Sequence, residues 1–161
     1  MGKSNIETYQ QQNLMMNTKK LRNLLEEMPG FCKDYFRGID NSTSIRTRVG
    51  YAYDLRTFFR FLITENPTIA SDIKNITLKQ LNELKPVDIE EYLEYLKLYK
   101  FDGKEYSNDE RGLHRKMASL RKFFMYYHKR ELIDNNPTVV VDMPKLHNRE
   151  IIRLDDDEVN E

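Results

Sequence analysis

The sequence predicts an all-α fold, and three observations carry the prediction. Apolar residues recur at three- and four-residue intervals through most of the segments between residues 18 and 130, the spacing that lines one face of a helix. Breakers punctuate those segments at Pro29-Gly30, Asn66-Pro67 and Asn136-Pro137, where helices are expected to stop. No pair of alternating segments joined by a hairpin turn stands out, and the one stretch with strand propensity, "TVVV" at 138–141, sits between prolines.

The elements follow in order. Residues 1–17, with Gln10 to Gln12, Asn13 and Asn17, are polar and aperiodic, and are expected to form a flexible lead-in. In "TKKLRNLLEEM" the residues Leu21, Leu24, Leu25 and Met28 share a helical face that Pro29-Gly30 ends. "FCKDYFRGI" supplies a shorter helical turn. Ser42, Thr43 or Ser44 then caps a helix of about five turns whose core face is Ile45, Val49, Ala52, Leu55, Phe59, Leu62 and Ile63. "TLKQLNEL" and "PVDIEEYLEYLKLYK" make a short helix and a medium one, with Pro86 suited to a first turn. Their acids, among them Asp88, Glu90, Glu91 and Glu94, suit a solvated face. "FDGKEYSNDE" is expected to be a loop, and it leads into a helix with Leu113, Met117, Leu120, Phe124 and Tyr127 as its buried stripe. "LRTFF" at 55–59 is echoed by "LRKFF" at 120–124, which points to two helices that use one local packing pattern.

At 161 residues the chain suits one helical domain, 18–136, with a modest core and a linker region at 137–161. Its 26 basic and 26 acidic residues cancel, so total charge points to neither nucleic acid nor membrane, and distribution matters more. No apolar run suits a membrane helix or a secretion signal, so a cytoplasmic protein is expected. Cys32 is the single cysteine. That excludes an internal disulfide and a cysteine zinc cluster, and its neighbours Phe31, Tyr35 and Phe36 suit an ordinary buried thiol. No cofactor and no metal are called for; His114 and His128 lie about 40° apart on one helix flank and lack a third ligand.

The charge is unevenly placed. Residues 111–130 hold Arg111, Arg115, Lys116, Arg121, Lys122, Lys129 and Arg130 without one acid. Measured from Leu113 at 100° per residue, Arg111, Arg115, Lys122 and Lys129 fall at about 160° to 200°, with Ala118 at about 140°, Tyr126 at about 220° and Ser119 at about 240°. A solvated face ordinarily mixes signs so that i,i+4 neighbours attract; here they repel, a costly arrangement without an anion. The small residue and the hydroxyls suit close approach to a phosphate backbone. The long helix at 44–64 repeats the pattern: measured from Ile45, Arg46, Tyr53, Thr57, Arg60 and Gly50 fall between about 60° and 140°, away from its apolar arc. Ser44 and Thr47 lie at its start, and Gly50, costly inside a helix by ~1 kcal/mol, is tolerable where another backbone comes close. The expected duplex-DNA contacts are therefore Ser44, Arg46, Thr47, Gly50, Tyr53, Thr57 and Arg60 on one helix, and Arg111, Arg115, Lys116, Ser119, Lys122, Tyr126 and Lys129 on the other. Arg46, Arg115 and Lys116 are the candidates for reaching base edges. Acids collect elsewhere, with six in residues 150–161 against one base.

The order of parts, "TRVGYAYDLRTFFRFL", an acidic helical pair, "GLHRKMASLRKFFMYYHKRELIDNNPTVVVDMPKL" and "IRLDDDEV", resembles the N-terminal core-binding domain of tyrosine recombinases, the phage-integrase and Xer-type family. The resemblance runs from Thr18 to Glu161 and is most specific from Arg115 to Leu146. It implies a four- to five-helix SAM-like orthogonal bundle forming half of a C-shaped clamp on duplex DNA near the strand-exchange site, with 44–64 and 108–130 as the DNA-facing helices. It also implies that "LDDDEV" opens a catalytic domain that this chain does not contain. No tyrosine or histidine here is then a catalytic residue, and no cleavage or joining is expected of this chain. The implied partners are double-stranded DNA and the catalytic domain, with a monomer in isolation and an oligomer on DNA at full length. Two other readings remain open at this point: a helical interaction module whose basic faces dock an acidic partner, and a complete small protein that acts as a competitor or accessory factor of a recombinase.

Overall fold

A computed structural model describes residues 2–147, in which six helices and one hairpin surround an aromatic core. Helix α1 spans Gly2–Glu26, α2 Cys32–Gly38, α3 Ile45–Glu65, α4 Leu78–Asn82, α5 Pro86–Lys97 and α6 Glu110–Lys129. Strands β1, Leu98–Phe101, and β2, Lys104–Ser107, lie between α5 and α6. The mostly helical architecture is the expected one. The "LDDDEV" segment and the acid-rich stretch at 150–161 lie outside the described residues.

Local chemistry accounts for most boundaries. Ser44 caps α3 by accepting from the Thr47 backbone N–H at 3.1 Å. Thr77 caps α4 in a reciprocal box with Gln80, which satisfies two backbone donors at once. Pro86 occupies the first turn of α5, where its missing N–H costs nothing. Asp109 caps α6 by accepting from Gly112 N–H at 2.9 Å. After α6 the backbone turns at Glu131, φ 59°, and the N–H groups of Asp134 and Asn135 both donate to Asn82 Oδ1, at 2.7 and 3.0 Å. The chain beyond α6 is thereby pinned to α4.

The core is built where the two echoed motifs meet. Leu55, Phe58 and Phe59 of α3 and Leu120, Phe123 and Phe124 of α6 are all buried. Phe58 meets Phe124 edge to face at 6.0 Å between centroids, and Phe59 meets Phe123 at 5.9 Å. Such pairs contribute about 0.5–1.5 kcal/mol beyond the area they bury. Tyr92 of α5 packs on Phe58 at 5.0 Å, and Tyr35 of α2 on Phe123 at 5.2 Å. The repeated five residues are the two halves of one helix–helix contact. Cys32 is fully buried among these groups, and burial pushes its thiol pKa up, as it does the phenols of Tyr35, Tyr92 and Tyr127. The Tyr127 hydroxyl donates to Phe31 O at 2.7 Å, whereas the buried Tyr35 hydroxyl has no hydrogen-bond partner among the described residues.

Two expectations need correction. Residues 2–17 are helical, part of α1, and not an irregular lead-in. Gln, Lys and Met have adequate helix propensity, and no Gly or Pro interrupts residues 3–28; none of residues 8–17 is buried, and Leu14, Met15 and Met16 are exposed, so this stretch has no buried face to give an amphipathic pattern. The expected loop at 98–107 is an antiparallel hairpin that pairs Tyr99 with Tyr106 and Phe101 with Lys104. Its two-residue turn is Asp102-Gly103, with φ 54° and 77°. Asp-Gly favours a turn with positive φ at both positions, which matches the twist of the flanking strands. The short, charged strands hid that signal. No helix among the described residues is long and apolar enough to cross a membrane.

Candidate nucleic-acid interface

The helical phase of α3 leaves a narrow outward stripe. Arg46, Gly50 and Tyr53 are exposed on it, with Thr57 and Arg60 half-buried further along. A Cβ on Gly50 would meet nothing within 4 Å, so the glycine opens space above the helix without relieving an internal clash. Its capping end is less available. The Ser44 hydroxyl accepts from the Thr47 N–H and donates to Thr47 Oγ1 at 3.0 Å. Thr57 donates to the Tyr53 carbonyl at 3.1 Å, a bond within the helix.

The cations of α3 divide by role. Arg48 is buried; its guanidinium donates to Asp40 O and Thr43 O at 2.9 and 2.6 Å and pairs with the Asp40 carboxylate at 2.9 Å. Arg56 pairs with Glu27 at the end of α1 at 3.3 Å. Arg60 lies over the Phe101 ring at 4.2 Å. Arg46 makes no ion pair among the described residues.

On α6 the exposed residues are Arg111, Arg115, Ala118, Met125, His128 and Lys129, and Lys122 is half-buried. Lys122 and Lys129 make no ion pair among the described residues. Arg115 differs. Its side chain is 64% exposed, yet it reaches the carboxylate of Asp54, 5% exposed on α3, at 2.8 Å. Ser119 donates to the other Asp54 oxygen at 3.2 Å, and Lys116 lies 4.0 Å from Asp54 while donating to Asn108 Oδ1 at 2.8 Å. Asn108 in turn donates to Leu96 O at 2.9 Å. One buried carboxylate thus ties α3 to α6 and offsets part of the positive block on α6. Burial holds the Lys116 ammonium pKa below its usual value despite Asp54 nearby, as expected when desolvation outweighs the attraction. Asp54 stands on α3 between Gly50 and Thr57, so the Arg115 bridge sets the α6 stripe beside the α3 stripe.

Three expected contact residues point into the protein. Ser119 is buried and bonded to Asp54. Lys116 is held by Asn108 and Asp54. Tyr126 is half-buried; its hydroxyl donates to Asp34 O on α2 at 2.9 Å, and the Arg130 guanidinium covers its ring at 3.9 Å. Gly38 makes room for that ring, since a Cβ there would come 2.5 Å from Tyr126 Cε1. The physical reason is shared. Because α2 and α3 both pack on α6, its buried arc extends to Phe123 and Ser119 and is wider than the stripe from Leu113 to Tyr127. The sequence reading also missed Asp54, whose one signal was being the sole acid among residues 44–64.

The segment after α6 doubles back along the flank of that helix. Arg121 donates to Val141 O at 2.6 Å, His114 Nδ1 lies 3.2 Å from Pro144 O, and His147 contacts Glu110. His114 and His128 do not converge, and no group of three or more metal-ligating side chains occurs among the described residues.

With this geometry in place, similarity to known proteins becomes informative. The chain is 35% identical over 144 residues to tyrosine recombinase XerC of Caldanaerobacter subterraneus subsp. tengcongensis, a match covering 86% of this chain. Proteins of the same name from Leptospira interrogans serovars copenhageni and Lai are 30% identical over 108 residues, 67% of this chain. The chain is similar to one part of the tyrosine recombinases. It spans 38% of the length of the Caldanaerobacter recombinase and 29% of each Leptospira recombinase, so the match concerns one part of a longer kind of protein. No protein-family model matches the chain, and no solved structure matches it significantly.

Proposed function

We infer that this chain is the DNA-binding, core-binding part of a site-specific tyrosine recombinase. In this reading α3 and α6 lie against one side of a duplex near the strand-exchange site. The observation that carries the reading is the pair of outward stripes, Arg46 to Arg60 and Arg111 to Lys129, set side by side by the Arg115–Asp54 ion pair. An α-helix fits the major groove of B-DNA, and lysine and arginine on such a face gain affinity by displacing the counterions of phosphates. Arg46, Arg115, Lys122 and Lys129 are the proposed phosphate contacts, joined by Arg111. Gly50 and Ala118 are where the duplex backbone comes nearest.

Strand cleavage and rejoining are assigned to the part of the recombinases that this match leaves uncovered, which would close on the opposite side of the duplex. The segment at 137–147 would lead toward it along α6. Half of such a clamp binds weakly and with modest sequence preference, as a monomer. The cytoplasm is the compartment that fits this role. Titration of a fluorescent duplex at about 50 mM and about 200 mM salt tests the reading, because non-specific affinities lie at roughly 10⁻⁴ to 10⁻⁶ M and fall steeply with salt. Binding that weakens many-fold between the two conditions is the expected result. No binding at the lower salt with tens of micromolar protein, or equal binding to an acidic polypeptide, would remove it.

A further inference from the structure

The hairpin stands at the far end of the α3 stripe, and a cleft of about 180 Å³ separates the two. Arg56, Thr57 and Arg60 form its helix side. Its other side is a column of rings: Tyr95 of α5 stacks on Tyr99 at 4.7 Å, and Tyr99 on Tyr106 at 5.3 Å. The register Tyr99–Tyr106 and Phe101–Lys104 puts these four residues on one hairpin face, because side chains alternate along a strand.

Charge in the cleft is out of balance. Of the two guanidiniums in the cleft it is Arg56 that pairs with Glu27, at 3.3 Å, while Arg60 and Phe101 also line a neighbouring cavity with Glu26, Glu27 and Asp72. Arg60 makes no hydrogen bond or ion pair among the described residues and is fixed flat over Phe101. Burial and the neighbouring Arg56 both lower its pKa, the mark of a cation held beside a like charge. Lys104 is exposed at the hairpin tip, 5.9 Å from the Tyr106 ring, and Tyr106 itself is 39% exposed. A guanidinium held over a ring and without a hydrogen bond among the described residues, a second guanidinium in the same cleft, and Lys104 on the hairpin face that carries Tyr99 and Tyr106 suit a tetrahedral oxyanion, for which an arginine fork supplies paired donors.

We propose that this cleft binds a phosphate group, and that the group is a backbone phosphate of the duplex beyond those met by α3 and α6. The hairpin is then a third contacting element, with Arg60 and Lys104 as its cations. This rests on the duplex reading above, and the test separates the two.

The test compares salt slopes of duplex binding for the unmodified chain, Lys122→Ala/Lys129→Ala, Lys104→Ala, and Arg60→Gln/Lys104→Ala. Amide shifts of Thr57, Arg60, Lys104 and Tyr106 are followed by NMR, on adding the duplex and separately on adding inorganic phosphate. The expected result is a slope reduced by roughly one for Lys104→Ala and by about two for the hairpin double variant, with the four amides shifting on duplex addition. If Arg60→Gln disturbs the fold, Lys104→Ala alone decides, since its side chain is at an exposed tip. A reduced slope for the α6 variant, with hairpin slopes unchanged and the four amides unmoved, overturns the hairpin proposal and leaves the duplex reading standing. Shifts with inorganic phosphate but none with duplex overturn the DNA source of the phosphate, and the duplex reading is then decided by the α6 slope alone.

Discussion

The outward residues of α3 and α6 carry similar charge and differ in what holds them. Of the four arginines in residues 44–64, Arg48 is buried in the turn before α3, Arg56 is tied to α1 and Arg60 is stacked on the hairpin. Arg46 is the one without an ion pair or ring partner among the described residues. On α6 the balance reverses: Lys122 and Lys129 are unpaired among the described residues, and the paired Arg115 is still largely exposed. Arginine on α3 mainly fastens the domain together, whereas on α6 only Lys116 of the three lysines is tied to other elements, and Lys122 and Lys129 make no ion pair among the described residues. Counting charges along a helix does not distinguish these uses. What decides is whether a carboxylate, a carbonyl or a ring from another element reaches the cation.

Substitutions can break this comparison, beginning with the largest effect. Arg48→Ala is expected to cost about 2–3 kcal/mol, because it leaves the Asp40 and Thr43 acceptors without their donor. Thermal melts followed by circular dichroism measure it; a change below about 0.5 kcal/mol would return Arg48 to the surface. Asp54→Asn tests the junction of the stripes. Losing the charge that holds Arg115 should lower stability by about 1–2 kcal/mol, while removal of a negative charge from the binding face raises duplex affinity a few-fold. A fall in both quantities would mean that Asp54 positions Arg115 for DNA and does not compete with it. Gly50→Ala has the smallest and opposite effect on folding. With open space above Gly50, the substitution should stabilise the helix by about 0.5–1 kcal/mol and weaken duplex binding. Unchanged binding would show that no backbone passes there.

Much of this was legible in the sequence, for reasons that differ between elements. The starts of α3 and α5 were marked by Ser44, one of three cap candidates, and by Pro86, whose chemistry acts within a few residues; Thr77 and Asp109 cap α4 and α6 in the same local way but were not read as caps. The stripe on α3 was legible because its buried arc is broad and leaves one outward direction. On α6 the reading of Ser119, Lys116 and Tyr126 failed because their partners, Asp54, Asn108 and the Asp34 carbonyl, come from elsewhere in the chain. A helical wheel drawn from one helix cannot contain them. The hairpin was hidden for a local reason: its strands are four residues each, and although β1 alternates in burial, β2 is exposed throughout, so no pair of alternating segments marks it. Asp102-Gly103 was the one usable sign. Residues 8–17 of α1 lack any such mark, since none of them is buried.

In the proposed reading, α6 presents cations to phosphate without needing them to fold. Its most direct test is the dependence of duplex affinity on salt for Lys122→Ala/Lys129→Ala beside the unmodified chain, with melting temperature measured on both. Each phosphate contact contributes about 0.9 to the log–log slope. The variant should therefore show a slope smaller by nearly 2 and a stability within about 0.5 kcal/mol of the original. An unchanged slope together with a lowered melting temperature would place both lysines in the packing of the domain and contradict the account.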